Sequence, residues 1–418
     1  MANWDWASAG GSERRLETLR CEVCRGVAKN CSLMKCPYYR GTIREALKAV
    51  RGEKVVFGPT PPTVLVGEWG YPRVYVGTGL VLSPELDFKL LESPGSWLSK
   101  PLDELLYMRL SILLGRSRAG VKLSRSPPKI LDAIQESSAS QKPVDLELKL
   151  SSSVVRFVPG FGVRHAPHGP AGTAEYIRLV DNPSIPRPVD RVIGDPFMPV
   201  LEAVERLTSG GVDEYYIVRL LSSGLLGRRI DRKLVPTEWS ITAVDDMLGK
   251  MALRRVKSYR IIGEFRLHSF SALHNAAHII LTPTPWMFEL LEGWVKSMEV
   301  YSDHELTWGR TSYAENTGGA YYACRLPILT HLERLKAQSG AIVFFEVDEG
   351  WIPLGVWRFR EIVRAALKER PVKCGSLAEA LELIKDRLRL GLQAYLRRSL
   401  LTTSITRQTK LYWKQPPP

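Results

Sequence analysis

Four cysteines fall within sixteen residues near the start of the chain: Cys21, Cys24, Cys31 and Cys36, spaced C-x2-C-x6-C-x4-C. Two short pairs joined by a short loop bring four thiolates to one tetrahedral centre, the arrangement of a structural zinc site. Two disulfides also fit the spacing. However, the Met1–Gly11 stretch has Trp and Asp where a secretory signal has a basic start and an apolar run. The spacing therefore predicts a zinc module over residues 21–36. Four thiolates leave no open coordination position, so the metal is expected to hold structure rather than to activate water.

The 418-residue chain is too long for a single core, and two or three domains are expected. It carries 58 Lys and Arg against 44 Asp and Glu, a formal net charge of +14. Such a balance favours a polyanionic partner, nucleic acid above all, and predicts salt-sensitive binding. No apolar run approaches the roughly 18 residues of a bilayer span, so a soluble, cytoplasmic protein without membrane contact is expected.

Thr42 with Glu45 marks a capped short helix. From Phe57 to Leu82, β-branched runs at Thr63–Val66 and Val74–Val76 between Pro and Gly residues predict strands of a small sheet. Leu105, Leu106, Met108, Leu110, Ile112 and Leu113 fit a buried helix, and Ser124–Pro143 reads as an exposed connection. Helices are predicted over Pro199–Leu207, over Asp213–Leu226 and from Thr237 onward. His278–Leu281 and Ala341–Val347 read as buried strands. Ser376 and Glu379 open a long final helix whose apolar face is Leu377, Leu381, Ile384, Leu388, Leu392 and Leu396. The fold class is mixed α/β of the α+β kind, with a larger N-terminal and a smaller C-terminal α/β domain.

Several chemistries are disfavoured. There is no phosphate loop of the G-x4-GK[ST] type, no G-x-S-x-G elbow and no H-E-x-x-H helix. Gly77-Thr78-Gly79 lacks a third glycine and reads as a turn, while His274 and His278 read as structural. Two polar clusters remain. Leu234–Asp246 gathers Thr237, Glu238, Trp239, Ser240, Thr242, Asp245 and Asp246. The two aspartates point in different directions on a helix, which leaves one for a divalent cation and the other for a cap or an arginine. Asp303–Arg325 offers Asp303, His304, Glu305, Arg310, Tyr313, Glu315 and Asn316, then a Gly318-Gly319 turn suited to close approach of a phosphate. A nucleotide or phosphate pocket of Thr242, Arg310, Tyr313, Asn316, Gly318 and Gly319 is one expectation. A buried polar network is the other.

These segments together resemble one family, the archaeal Nre DNA repair proteins. The resemblance rests on the four-cysteine module with Pro37 after its last ligand, on Phe57–Pro62 continuing through Val66-Gly67 and Gly70-Tyr71-Pro72, and on Asn182-Pro183 with Ile185-Pro186-Arg187. It continues through Leu220–Gly227, Leu234–Asp246, Tyr313–Arg325 and Pro353–Trp357. It implies an N-terminal domain over residues 17–285, a C-terminal domain over 295–405 and a mobile tail over 406–418. It also implies a repair factor acting with the excision-repair nuclease and, through a C-terminal Q-x-x-h-x-x-a-a peptide, with the sliding clamp (PCNA). Here Gln408 and Leu411 fit that peptide, whereas Tyr412 and Trp413 follow Leu411 directly instead of three and four residues on. The rival expectation is a metal-dependent enzyme acting on nucleotides or DNA through Asp245, Asp246, His304, Arg310 or Glu315. A third is a protein adaptor whose charge is incidental.

Overall fold

The structure, a computed structural model, describes residues 54–83, 86–151, 168–350 and 354–412. The cysteine module, the Thr42 helix and Trp413 onward lie outside the described residues. The chain divides into two compact units at Met247/Leu248, with Leu354 and Gly355 grouped with the first. Among the described residues no helix is long and apolar enough to cross a membrane.

The first unit contains β1 (Val55–Thr60), β2 (Val64–Val66), β3 (Arg73–Val81), α1 (Phe88–Leu91), α2 (Leu102–Leu110), β4 (Ile112–Gly120) and α3 (Lys129–Ala139). It continues with β5 (Val144–Leu150), β6 (Ala171–Leu179), α4 (Arg187–Gly194), α5 (Val200–Ser209) and α6 (Glu214–Ser222). The six strands form one sheet in the order β1-β5-β6-β4-β3-β2, antiparallel except where β4 runs parallel to β6. Strand β5, VDLELKL, alternates buried and half-buried positions along its length, the period of a one-faced strand. Its Leu146, Leu148 and Leu150 join Val74, Val76, Leu131 and Ile134 in a core under the sheet. The opposite face keeps Arg73, Tyr75, Arg116 and Arg118 wholly or partly in solvent.

Three local expectations give way here. Gly77-Thr78-Gly79 lies inside β3, not in a turn. A Cβ on Gly77 would stand 2.6 Å from the Gly115 carbonyl oxygen and one on Gly79 2.5 Å from Ile112 Cγ2, so these glycines serve close approach within the sheet. Ile112 and Leu113 open β4 rather than end a helix. Ser124–Pro143 is not an exposed connection. It contains α3, whose Ser138 hydroxyl donates to the Gln135 carbonyl at 2.7 Å and whose Gln135 Nε2 donates to the Ser223 carbonyl at 2.8 Å. Polar side chains that satisfy buried backbone look like linker composition when their partners, 88 residues apart in the second case, are not in view. The helix expected from Asp213 is α6, and Asp213 caps it, accepting from the Tyr216 amide at 2.9 Å.

Helix α7 (Thr237–Val256) begins in the first unit and ends in the second. There follow β7 (Arg260–Ile261), β8 (Phe265–Ala272), β9 (Asn275–Thr282), β10 (Phe288–Trp294), β11 (Glu299–Glu305) and α8 (Gly319–Leu335). Next come β12 (Ala337–Gln338), β13 (Gly340–Val347), α9 (Trp357–Lys368), β14 (Val372–Cys374), α10 (Leu377–Lys385), α11 (Leu392–Leu396) and α12 (Leu400–Tyr412). The six-stranded sheet of this unit has the order β11-β10-β13-β9-β8-β14, and β7 pairs with β12 separately. Residue 285 falls between two strands of that one sheet. All eight residues of β13 are buried, as befits a central strand with both faces covered. His274 occupies the two-residue turn between β8 and β9 in a left-handed conformation, and His278 is on β9, so the pair does not share a helix face.

The long final helix expected from the leucine repeat over Leu377–Leu396 is instead two helices, α10 and α11, with α12 following. Ser376 caps the first, accepting from the Glu379 amide at 3.1 Å, and Glu379 reaches back to the Gly375 amide at 2.7 Å. The break is held by Glu346 of β13, which accepts from the Arg389 amide at 3.0 Å, the Leu390 amide at 3.2 Å and the Tyr395 hydroxyl at 2.9 Å. Gly391 then takes a φ of +74°, open to glycine at little cost. Buried Glu289 of β10, its carboxyl raised above the ordinary range by burial, receives the Ser399 hydroxyl and the Leu400 and Leu401 amides at the start of α12. Leu377, Ile384, Leu388, Tyr395 and Leu401 still pack into one core against the sheet. The apolar repeat is kept; the helical continuity is not.

Candidate functional site

The Asp303–Arg325 segment belongs to the second unit and starts at the end of β11. Buried Asp303 accepts from the Thr317 amide at 2.7 Å and the Thr317 hydroxyl at 3.0 Å, just before α8, where a negative charge suits the helix dipole. Its other oxygen pairs with Arg310 at 3.1 Å. Arg310 also donates to the carbonyls of Ser312 at 2.9 Å, His304 at 3.1 Å and Tyr313 at 2.8 Å. The guanidinium expected to hold a phosphate is thus committed to folding its own loop.

Deeper in the same unit, Glu305 pairs with Arg325 at 2.7 Å and accepts from Trp286 Nε1 at 2.7 Å, all buried. Arg325 packs against α7, where a Cβ on Gly249 would stand 2.5 Å from its Nη1. Burial, reinforced by the Glu305 charge, drives the Tyr321 phenol far above its ordinary range, so it stays protonated. His304 is pushed down by burial and then by the Arg310 charge. Asn316 donates to the Ser302 carbonyl at 2.9 Å, Tyr313 stacks on Tyr322 with centroids 5.7 Å apart, and Glu315 is exposed. Gly318 has a φ of +53° before α8 and donates to the Ala314 carbonyl at 2.9 Å. Arg310, Tyr313, Asn316, Gly318 and Gly319 are close in one loop-and-helix start, and the loop is closed on itself by hydrogen bonds.

The other members of the expected sites lie elsewhere. Thr242, Asp245 and Asp246 are on the first-unit part of α7. Thr242 donates to the Glu238 carbonyl at 3.3 Å, Asp245 is buried and Asp246 half-buried. Gln408 and Leu411 fall within α12, which runs to Tyr412. Among the described residues no group of three or more His, Cys, Asp and Glu side chains is placed to hold a metal ion.

The first sheet brings together a group the motif reading passed over. Tyr75 of β3 stands opposite Arg118 of β4 in register, and the Arg118 guanidinium lies 5.2 Å from the Tyr75 ring and 5.6 Å from the Trp69 ring. The Arg116 guanidinium lies 4.8 Å from the same Tyr75 ring, and burial lowers its pKa. Trp239, from the start of α7, sits 5.3 Å from Tyr71 and donates from Nε1 to Glu68 at 2.9 Å. The Thr237 hydroxyl accepts from the Val66 amide at 2.9 Å and ties that helix start to β2. The signal was present as Arg73-x-Tyr75 and Arg116-x-Arg118, two period-two patterns whose meaning depended on the strands being neighbours.

Comparison with known proteins bears on both units. The family profile described as "Archaeal Nre, N-terminal" matches residues 30–300, and "Archaeal Nre, C-terminal" matches residues 305–413. A protein of Archaeoglobus fulgidus named DNA repair protein NreA is 35% identical over 375 residues, 87% of this chain and 92% of the relative. DNA repair protein NreB of the same organism is 33% identical over 395 residues, 91% and 96% of the two chains. DNA repair protein NreA of Haloferax volcanii is 31% identical over 385 residues, 87% and 90%. No solved structure matches the chain.

Proposed function

The chain belongs to the archaeal Nre family, and from that membership we propose that it is a cytoplasmic DNA repair factor that binds DNA and carries one structural zinc ion. The observation that carries the reading is the similarity, over most of both chains, to three proteins named for DNA repair. The net charge of +14 supports contact with a polyanion. Cys21, Cys24, Cys31 and Cys36 supply the soft donor set of a closed zinc site. Partners in this reading are DNA, the excision-repair nuclease and the sliding clamp. The clamp would take Gln408 and Leu411 with Tyr412 and Trp413 in a shifted register.

A metal-dependent enzyme draws no comparable support. Arg310 is held by its own loop and Asp303 by Thr317 and Arg310. The experiment for the repair reading is survival. Cells lacking their own Nre protein should be sensitive to a DNA-crosslinking or alkylating agent, and this chain should restore survival. Sensitivity left unchanged by the expressed, folded chain would sink the reading. Zinc analysis of the purified protein should return one ion per chain, with loss of metal in Cys21→Ser and Cys24→Ser.

A further inference from the structure

We propose that the β3–β4 end of the first sheet binds single-stranded DNA, with bases stacked on Trp69, Tyr71 and Trp239 and the backbone held by Arg73 and Arg118. The proposal rests on the repair reading for the choice of DNA and on the sheet itself for the place and the strandedness.

Three large rings are kept in water at one end of one sheet: Trp69 is 43% exposed, Tyr71 42% and Trp239 43%. Each is fixed by a neighbour. Arg118 lies over Trp69, Tyr71 and Trp239 lie against each other at 5.3 Å with their planes 41° apart, and Glu68 receives the Trp239 indole N–H. Rings immobilised in advance lose little entropy on receiving a base, and stacking on them tolerates any base.

The charge on this face is complementary to a phosphate chain. Arg73 and Tyr75 share a face of β3, and Arg118 stands opposite Tyr75. Arg73 and Arg118 are exposed, and neither has an acidic partner among the described residues. The nearby acids are engaged: Glu68 by the Trp239 indole N–H at 2.9 Å, Glu147 by Arg178 at 2.8 Å and the Tyr176 hydroxyl, and Glu175 by Lys149 at 2.8 Å. A duplex would present phosphates to the arginines and leave the rings idle, because its bases are already stacked and paired. An unpaired strand uses both.

The test is fluorescence anisotropy with the full chain, a labelled short oligothymidylate, a duplex and an oligouridylate of equal length, across a salt series. The native protein should bind the oligothymidylate more tightly than the duplex. Trp69→Ala and Trp239→Ala should each weaken that binding by roughly 10- to 100-fold while duplex binding holds. Arg118→Ala should reduce the salt slope by about 0.7 for the single strand. Unchanged melting by circular dichroism confirms that the variants fold. Native DNA binding with all three variants unaffected would remove this surface and leave the repair reading standing. Equal losses on single strand and duplex would overturn the stacking. Tighter binding of oligouridylate would overturn DNA as the occupant. No salt-dependent binding of any DNA form by the native chain would remove both the surface and the DNA-binding part of the proposed function.

Discussion

The outer face of the first sheet and the Asp303–Arg325 segment of the second unit hold similar residue types and use them in opposite ways. Around Asp303 and Glu305, arginines meet carboxylates and carbonyls at 2.7–3.1 Å; Arg310 is taken up by its own loop, while buried Arg325 pairs with Glu305 and keeps its Nη1 without a hydrogen-bond partner among the described residues. Around Tyr75, the arginines meet aromatic rings, and Arg73 and Arg118 keep their charge exposed to solvent. The difference teaches that an arginine near tyrosine and acid is not by itself a site. What decides is whether the guanidinium is engaged by its own chain or buried away from solvent, and by that measure the segment richer in acid–base chemistry is the structural one.

This contrast breaks most readily at Glu305. Glu305→Ala leaves Arg325 buried without its carboxylate and Trp286 without its acceptor, a loss of about 3–5 kcal/mol. The unfolding midpoint of the second unit should fall by roughly 10 °C. A melting curve that barely moves would mean the network is not structural.

Acid acts on the same unit through His278. It is buried on β9 beside Ser269, and burial, then the Arg387 charge, lowers its pKa to about 4. The unfolded state therefore binds more protons between pH 6.5 and 4, so stability rises with pH across that window and is lost as pH falls through it. The contribution is up to about 3 kcal/mol. Urea unfolding at pH 7 and pH 4.5 should show a smaller difference in His278→Gln than in the native chain.

Gly391 offers a milder probe of the same side of the molecule. Its φ is +74° with ψ +140°, a conformation open essentially to glycine, and a Cβ at this position would meet nothing within 4 Å, so Gly391→Ala should cost about 1–3 kcal/mol through backbone strain alone. A loss several times larger, measured by chemical denaturation, would point to a packing role for that turn. The smallest effect on folding belongs to the open face. Arg118→Ala should leave stability within about 0.5 kcal/mol of native while DNA affinity falls, the reverse of Glu305→Ala. If Arg118→Ala melted the first unit, the face would be structural and the contrast would vanish.

Much of the secondary structure was legible in local pattern. The run at Ala341–Val347 lies in β13, Ser376 caps a helix, and β-branched residues at Val64–Val66 and Val74–Val76 form strands. The errors share one cause. Ser124–Pro143 looks like a linker because the partners of Gln135 and Ser138 come from residue 223. The leucine repeat from Leu377 to Leu396 looks like one helix because Glu346, which holds the break, lies more than forty positions earlier. The candidate site was half legible. The residues of Asp303–Arg325 do cluster, and the Arg310 guanidinium, read as a phosphate ligand, meets four local partners that the sequence order did not reveal.

Charge balance, the cysteine spacing, strand and cap patterns and family membership were all carried by neighbouring residues or by order along the chain, and reading them needed no fold. Which arginines remain available was settled only when β3 was laid beside β4 and β11 beside α8. Availability is a property of pairs, and the members of those pairs lie up to 171 positions apart, as in Glu68 and Trp239. Local physics writes the elements, while the removal of water between distant side chains determines which groups are left to meet a partner.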